Sequence, residues 1–443
     1  MLDKRSRIAQ WENDNSLTRD LELQRAYLIH LEVGLWSGNS RKIEIAESFL
    51  QPLLTMMRRD GRFWRSSYPS IIVNPEDEGE VLQQKWKDWI HQESVKRFAY
   101  RVLQHDRVVS MSVLIPPLIS YAEILLPLPE SREVWMAPTA EKWKAAYLSK
   151  SSERRPSLLD ILVDLERLHS HQGVIDQNDA NSAFIAGVWE MVWEYNKFNS
   201  LHKAQSRHWN ALIMKSKYDE IVKLLQHFRI GLDMTNRSAN YIIMKLELVL
   251  MHLHMSLQDV QLFAGIEGPE EARRVFPSLL EWAKSPAARQ TVWHAGQVIR
   301  AAKAQPKGYI HRFPSIAVYH ASLAFWVYGL LTENTNQVNG NILDHTRHIP
   351  IWLDEVETND VQRFIQFERG CPGIRGLANP QSGATGTAQG ALLNNPSKVM
   401  ETVLDILRKN FEGVNTPLLV ENLIQLMSGL QSAAARRAAN ESH

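Results

Sequence analysis

The chain has 443 residues, and its 50 basic and 49 acidic side chains leave a formal net charge of +1. This balance excludes the strongly basic composition that is typical of nucleic-acid and anionic-membrane binders. The single cysteine, Cys371, excludes a disulfide framework and a cysteine-based zinc site, and it indicates a reducing compartment.

Apolar residues recur at helical spacing along almost the whole chain. The first predicted helix opens at a candidate cap, Ser16, and closes at Gly38. No strand-like alternation of useful length and no fixed repeat occur. The sequence therefore predicts an all-α fold, a compact multi-helix domain that is too long for a simple four-helix bundle. In chain order, the further predicted helices cover residues 81–109, 179–205, 208–229, 238–265, 287–304, 315–333, 360–370 and 397–411.

Two segments interrupt the helical pattern. Residues 64–80 carry prolines and an acidic run and are predicted to form a surface excursion. Residues 371–396 are rich in Gly, Ala, Asn and Pro, which predicts an irregular loop of the kind that can serve as a lid. Helical sequence of similar character continues on both sides. We therefore predict one domain over residues 1–443, with a core from about residue 16 to residue 412 and room for helical subdomains.

The chain begins with the charged segment MLDKRSRIAQWENDNS, which lacks the apolar region of a signal peptide. No continuous run of about 18 apolar residues occurs, so we expect no membrane span. Together with the lone cysteine, these features predict a cytoplasmic location.

Common catalytic motifs, namely GxxxxGK[ST], GxGxxG, HExxH and GxSxG, do not occur in the sequence. Two histidine pairs, His169 with His171 and His252 with His254, have members two residues apart. On a helix such residues point to different faces, which makes them poor joint metal ligands.

One polar stripe predicts a metal site. Asp233, Asn236, Asn240 and Glu247 would lie along one side of a helix that begins near residue 233. Oxygen ligands on one helix face are what Mg²⁺ bound to a diphosphate requires. The same stripe also fits a solvated face with an aspartate cap, so both interpretations stay open.

A second candidate metal pair is Asn196 and Ser200, which lie four residues apart. They match the first two positions of the Asn-Ser-Glu metal motif of class I terpene cyclases, but the third position is Ala204, so the match is incomplete. Asp176 and Asp179 form a DxxD motif in a predicted loop, a pattern that is common by chance.

Leu280 and Lys284 are one helical turn apart in the segment PSLLEWAKSPAARQ, so a lysine shares a face with an apolar residue. A cation beside an apolar wall suits a pocket for a ligand with an anionic head and an apolar tail. The alternative is a solvated lysine at the end of an amphipathic helix, because Ser285-Pro286 is a plausible helix stop.

Four segments resemble the helical regulatory region of fungal zinc-finger transcription factors, and the resemblance extends over roughly residues 20–410. One cysteine cannot supply a Cys₂His₂ or Zn₂Cys₆ finger, and no basic arm replaces it, so we expect no nucleic acid partner. The segments are HLEVGLWSGNSRKIEIAESFLQ, MHLHMSLQDVQLFAG, EEARRVFPSLLEWAKSPAARQTVWHAGQVIRAA and SIAVYHASLAFWVYGLL.

The same helical body without a finger is similar to the non-canonical humulene synthases of fungal tropolone-sesquiterpenoid pathways. In that family a lysine holds the diphosphate of farnesyl diphosphate, and a Leu or Met one turn earlier steers product geometry. Lys284 and Leu280 match these positions. The resemblance implies a sesquiterpene cyclase in which Mg²⁺ and the catalytic Lys284 assist diphosphate ionisation, and C1 closes onto C11 to give humulene.

The alternative function is a fingerless transcription-factor-like module that regulates or senses a ligand without catalysis. Lys284 beside Leu280 favours the cyclase, whereas the ordinary cyclase motifs, DDxxD and a complete Asn-Ser-Glu triad, do not occur. The sequence leaves a homo-oligomer open.

Overall fold

The computed structural model describes residues 17–150, 153–204, 211–232, 239–338, 349–377 and 390–441. Nearly all regular structure in these ranges is helical, which confirms the all-α prediction. The chain divides into two compact units, residues 1–232 (unit 1) and residues 233–443 (unit 2). Helical periodicity could not locate this division, because composition does not change there.

Unit 1 consists of helices and irregular segments, and single 3₁₀ turns lie at Leu17–Arg19, Arg65–Ser67 and Tyr121–Glu123. Its helices are α1 (Leu21–Leu35), α2 (Ser40–Ser48), α3 (Leu50–Arg59), α4 (Gly79–Val113), α5 (Arg132–Trp135), α6 (Ala140–Leu148), α7 (Leu158–Val163), α8 (Glu166–Ser170), α9 (Gln177–Ala204) and α10 (Ala211–Ile230).

The first helix is shifted from its predicted bounds. It begins at Leu21, because the side chain of Asp20 caps it by accepting a hydrogen bond from the backbone N–H of Leu23 at 2.7 Å. The predicted cap, Ser16, lies outside the described residues. Gly38 has a φ of 73° and stands in the turn that leads to α2.

The 35-residue helix α4 is the longest in unit 1, and it packs against α9 and α6. It ends at Leu114, which adopts a left-handed conformation with φ of 60° and donates its N–H to the carbonyl of Ser110 at 2.9 Å. Pro116 and Pro117 follow and disfavour further helix. The length of α4 gives unit 1 a central scaffold on which charged and aromatic side chains are buried.

Unit 2 is also mainly helical. The predicted helix over residues 238–265 is two helices in the structure, because Ser256 accepts a hydrogen bond from the N–H of Asp259 at 3.3 Å and starts a new helix. The helices of unit 2 are α11 (Ala239–His254), α12 (Leu257–Phe263), α13 (Pro269–Ala283), α14 (Pro286–Lys303), α15 (Phe313–Val338), α16 (Asn359–Phe367), α17 (Pro396–Asn410) and α18 (Leu418–Glu441).

Unit 2 also contains a small sheet of strands β1 (Pro350–Trp352), β2 (Cys371–Arg375) and β3 (Gly390–Leu392). Strands β1 and β2 pair in parallel, with Trp352 opposite Gly373, and β2 and β3 pair antiparallel. Two of the strands lie inside the segment that was predicted to be irregular. Their glycine-rich sequence is typical of loops, so the pattern did not predict these strands. Glycine is nevertheless required in β3, because a Cβ on Gly390 would lie 2.0 Å from the Trp352 ring.

The core of unit 2 is formed mainly by α11, α14 and α15, which pack against one another. Helix α15 contains a window, Phe313–Thr332, that is long and apolar enough to cross a membrane, and 89% of its most apolar part is buried inside the fold. Such burial is what the core helix of a globular domain shows. Helix α18 lies beyond the predicted core boundary at residue 412 and packs against α17 and α15.

Candidate functional site

Lys284 caps the C-terminus of α13, and its side chain is exposed. Its backbone N–H donates to the carbonyl of Glu281 at 3.3 Å. Leu280 lies one turn earlier and is half-buried. Ser285 then caps α14 through the N–H of Ala288, which confirms the predicted helix stop. The ammonium group of Lys284 is exposed at a helix end, whereas a cyclase would hold it in an enclosed apolar pocket. The predicted roles of Leu280 and Lys284 stay predictions.

The predicted magnesium stripe is only partly described. Asp233 and Asn236 lie outside the described residues, whereas Asn240 is half-buried in the first turn of α11. Glu247 is buried in the core, and its Oε2 lies 2.7 Å from Nδ1 of His294. Across the described ranges, no group of three or more His, Cys, Asp or Glu residues is arranged to hold a metal ion. The described residues therefore contain only half of the predicted stripe, and the magnesium site stays a prediction.

The pair Asn196 and Ser200 lies near the C-terminal end of α9. The hydroxyl of Ser200 donates to the backbone carbonyl of Asn196 at 2.9 Å, which is an internal helix contact. The DxxD motif has a different role, because Nη1 of Arg97 donates to Asp176 at 3.0 Å and to Asp179 at 3.1 Å. These carboxylates bind an arginine of unit 1.

Unit 1 buries a further charged network that the sequence pattern did not reveal. Arg107 on α4 donates to Asp106 at 2.7 Å and to Glu190 on α9 at 2.5 Å. Its Nε donates to the carbonyl of Ala186 at 2.8 Å. A buried charge is tolerated only when it is paired and hydrogen-bonded. The network therefore serves the packing of α4 on α9.

Four buried histidines of unit 2 form two ring pairs, and we call them the histidine cluster: His252 and His254 from α11, His294 from α14 and His320 from α15. The rings of His254 and His294 stack, with centroids 5.7 Å apart and planes 8° apart. The rings of His252 and His320 meet edge to face, also at 5.7 Å. The two histidines of α11 thus contact different helices, which confirms that their spacing places them on different faces.

Burial determines the protonation state of three of these rings. It lowers the pKa of His252 to about 3, and it lowers the pKa of His254 to about 3 with a smaller contribution from His294. Burial, and then His252, lowers the pKa of His320 well below its ordinary value. Nδ1 of His320 is buried and has no hydrogen-bond partner in the part of the chain that the structure describes. At neutral pH these three rings are therefore uncharged.

The sequence pattern presents His252 and His254 only as a local pair of candidate metal ligands and gives no role to His294 or His320. The available signal was that each one interrupts an apolar helical segment: MHLHM, VWHAG and VYHAS. Periodicity predicted that these helices would be buried, but it could not show which histidines would pair across helices.

The comparison with protein families identifies the class of this chain. The family model described as the fungal specific transcription factor domain matches residues 3–238, which is just over half of the chain. The chain belongs to this family. The matched range ends close to the boundary of unit 1, at residue 232.

Individual members extend the similarity further. A transcription factor of Zymoseptoria tritici is 26% identical, over 79% of this chain and 39% of its own length. Transcription factor 1 of Elsinoe fawcettii is 24% identical, over 82% of this chain and 39% of its own length. Transcription factor PfmaH of Pestalotiopsis fici is 24% identical, over 70% of this chain and 34% of its own length. No solved structure matches this chain.

Two facts about coverage follow from these alignments. The aligned share of the chain exceeds the share taken by unit 1, so the similarity to these relatives continues into unit 2. The chain spans well under half the length of each of these curated relatives.

Family membership overturns the enzymatic prediction. The chain is similar to transcription factors over most of its length, so the assignment as a sesquiterpene cyclase and lyase is wrong, and so is farnesyl diphosphate as its partner. The prediction that excluded a nucleic acid partner is contradicted by the same findings, because the matching family and the similar proteins are named for transcription factors. The predicted resemblance to the regulatory region of fungal transcription factors is confirmed. Leu280 and Lys284 favour a cyclase as an isolated pair, whereas similarity over most of the chain identifies the family.

Proposed function

We propose that this chain is a helical regulatory region of a fungal transcription factor and that it changes transcriptional output without catalysing a reaction. The observation that carries the proposal is the family match over residues 3–238, extended by relatives that align with 70–82% of the chain. Nucleic acid is then a partner of the whole regulator. The near-neutral net charge of this chain suits a role in regulation more than direct contact with phosphates.

The buried ion pairs of unit 1 are consistent with a regulatory region that has a defined packed state. Arg107 and Arg97 form ion pairs with nearby carboxylates, and each pair is satisfied only in this particular packing of the helices. A regulatory region needs a defined packed state, since a signal acts by shifting the population of alternative states.

The test is a reporter assay in a fungal host. The whole chain is fused to an unrelated DNA-binding domain whose operator controls the reporter. We expect the fusion to raise or lower output relative to that DNA-binding domain alone. Output equal to that of the DNA-binding domain alone, with the folded fusion present at a matched level, would contradict the proposal.

Two variants make the assay specific to the folded chain. Arg107→Ala removes the centre of the buried network of unit 1 and is expected to abolish the effect. Arg101→Ala removes an exposed arginine of the same helix, bound to Glu32 at 2.7 Å, and should preserve the effect.

The cytoplasmic location and the Mg²⁺ cofactor stay predictions. Imaging of a fluorescent fusion in the fungal host tests the first. Calorimetric titration of MgCl₂ into the purified chain, with Glu247→Gln as the comparison, tests the second.

A further inference from the structure

We propose that Ser157 of unit 1 is a phosphorylation site for a serine/threonine protein kinase that binds arginine residues before the acceptor. The added phosphate keeps the start of α7 from packing as it does in the unmodified protein. The use of this site in regulation rests on the proposed function. The modification and its effect on unit 1 can be measured without any assay of transcription.

The residues around Ser157 form the sequence RRPSL, residues 154–158. Arginine-directed kinases bind the arginines three and two positions before the acceptor through carboxylates of the substrate groove, and they favour an apolar residue directly after it. Hydrogen bonds between a guanidinium and a carboxylate are strong and geometrically specific, so the pattern of charges selects the substrate. Arg154, Arg155 and Leu158 supply this pattern in the required register.

Ser157 is buried in the packed structure, and its hydroxyl is bonded to Asp160. The hydroxyl donates to Oδ2 of Asp160 at 2.9 Å and accepts from the backbone N–H of Asp160 at 3.3 Å. The backbone N–H of Ser157 donates to the same carboxylate oxygen at 2.8 Å. These bonds form a capping box at the start of α7. A kinase therefore reaches the hydroxyl only when the capping box is open.

The contacts that close this segment also engage one of the two arginines that a kinase binds. Nη1 of Arg65 donates to the carbonyl of Arg155 at 3.0 Å, and its Nη2 donates to Asp160 at 3.0 Å. Nε of Arg155 donates to both carboxylate oxygens of Glu130 at 3.0 Å. Proteins open such segments locally at a lower free energy than that of global unfolding. Opening of this segment exposes Ser157 and releases Arg155 from Glu130 together.

The reaction is the transfer of the γ-phosphoryl group of ATP to Oγ of Ser157. The Oγ–H bond and the terminal phosphoanhydride bond of ATP break, and an Oγ–P bond forms. The products are phosphoserine, ADP and a proton that passes to solvent. The modified oxygen has lost the hydrogen that it donated to Asp160, and the phosphate adds a charge of about −1.5 to −2 at pH 7.

Asp160 makes the closed position unfavourable for this phosphate. Burial acts to raise the pKa of Asp160, but hydrogen bonds from Ser157 and the charges of Arg65 and Arg167 lower it below its ordinary value, so the carboxylate is charged at neutral pH. Arg65 and Arg167, at 3.0 and 3.7 Å from Asp160, offset part of the repulsion. They do not provide room for a phosphate at a side chain packed as closely as Ser157, which is 4% exposed.

Phosphorylation of the purified whole chain tests the proposal. The probe is the catalytic subunit of cAMP-dependent protein kinase, an arginine-directed enzyme, with Mg²⁺-ATP, and mass spectrometry of peptides locates the phosphate. We expect phosphate on Ser157 and its loss from this peptide in Ser157→Ala. Arg154→Ala should slow incorporation at Ser157 by about 10–100-fold, because Arg154 is exposed in the fold and serves recognition by the kinase.

Two further variants and one exchange measurement test the role of opening. Arg65→Ala removes two hydrogen bonds that close the segment and leaves RRPSL unchanged, so Ser157 should be modified about tenfold faster. Arg59→Ala alters an exposed arginine of α3 and should leave the rate unchanged. In the phosphorylated chain, hydrogen-exchange protection of Leu158–Val163 should fall by about tenfold or more, while Pro286–Lys303 of unit 2 keeps its protection.

Three results would overturn the proposal. They are absence of phosphate from Ser157 in the parent chain, an unchanged rate at Ser157 in Arg154→Ala, and unchanged protection of Leu158–Val163 after phosphorylation. Equal rates in Arg65→Ala and the parent would contradict the requirement for opening, and the parent chain decides the question if Arg65→Ala does not fold. A reporter assay without effect, combined with the expected phosphorylation, would count against the proposed function and leave the modification site in place.

Discussion

The carboxylate of Glu247 on α11 lies 2.7 Å from Nδ1 of His294 on α14, and both side chains are buried in unit 2. Removing one partner of such a pair leaves the other polar group buried without its partner. We expect Glu247→Ala to lower the free energy of unfolding by about 3–5 kcal/mol. Glu247→Gln keeps the shape and a hydrogen-bonding group, so we expect a smaller loss of about 1–2 kcal/mol. Urea unfolding followed by circular dichroism measures both.

The control is Glu401→Ala, which removes a carboxylate that binds Lys398 on the surface of α17. It should cause little change, because exposed ion pairs contribute little to stability. Equal losses for Glu247→Ala and Glu401→Ala would show that the buried pair does not stabilise unit 2.

Two helical glycines of unit 2 should respond to alanine in opposite directions. A Cβ on Gly296 would lie 2.3 Å from the carbonyl oxygen of Leu353, so Gly296→Ala requires backbone movement. We expect it to destabilise the protein by about 1–3 kcal/mol. Gly429 on α18 has nothing within 4 Å of an added Cβ, so Gly429→Ala should stabilise the protein by about 0.5–1 kcal/mol. Thermal unfolding distinguishes the signs, and the same sign for both variants would contradict this account.

Arg107→Met should destabilise unit 1 specifically. The change keeps much of the side-chain volume but leaves the carboxylates of Asp106 and Glu190 without their buried guanidinium partner. We expect a loss of about 3–5 kcal/mol. Hydrogen exchange should report it as lost protection in Gly79–Val113. Intact protection of that helix would mean that the two carboxylates find other partners or become protonated.

Lys284→Ala should leave stability within about 0.5 kcal/mol of the parent, because the side chain is exposed at a helix end. Leu280→Ala should cost more, since Leu280 is half-buried on the same helix. Thermal unfolding of both variants checks the order. A large loss on removing the lysine alone would indicate a stabilising contact made by its ammonium.

The sequence by itself determined the helical class of this protein and, through similarity over most of the chain, its family. Periodic apolar residues predict helices because burial of one face is a local property of the chain. The same reasoning did not predict the short strands, because their formation depends on residues that are distant in sequence. Gly373 and Gly390 are typical of loops by their sequence, yet they lie in paired strands. Glycine is needed at both positions because the ring of Trp352 occupies the space that a larger side chain would need.

Only the tertiary structure decided which polar residues work together. The sequence predicts Glu247 as a candidate metal ligand on a helix face. In the packed structure its carboxylate is hydrogen-bonded to His294, which is 47 positions away along the chain. His252 and His254 are neighbours in sequence and belong to different ring pairs in space. Contacts between helices depend on how the helices cross, and no local spacing encodes that. Burial then keeps the rings of His252, His254 and His320 uncharged at neutral pH, because the cost of desolvation is a property of the packed core.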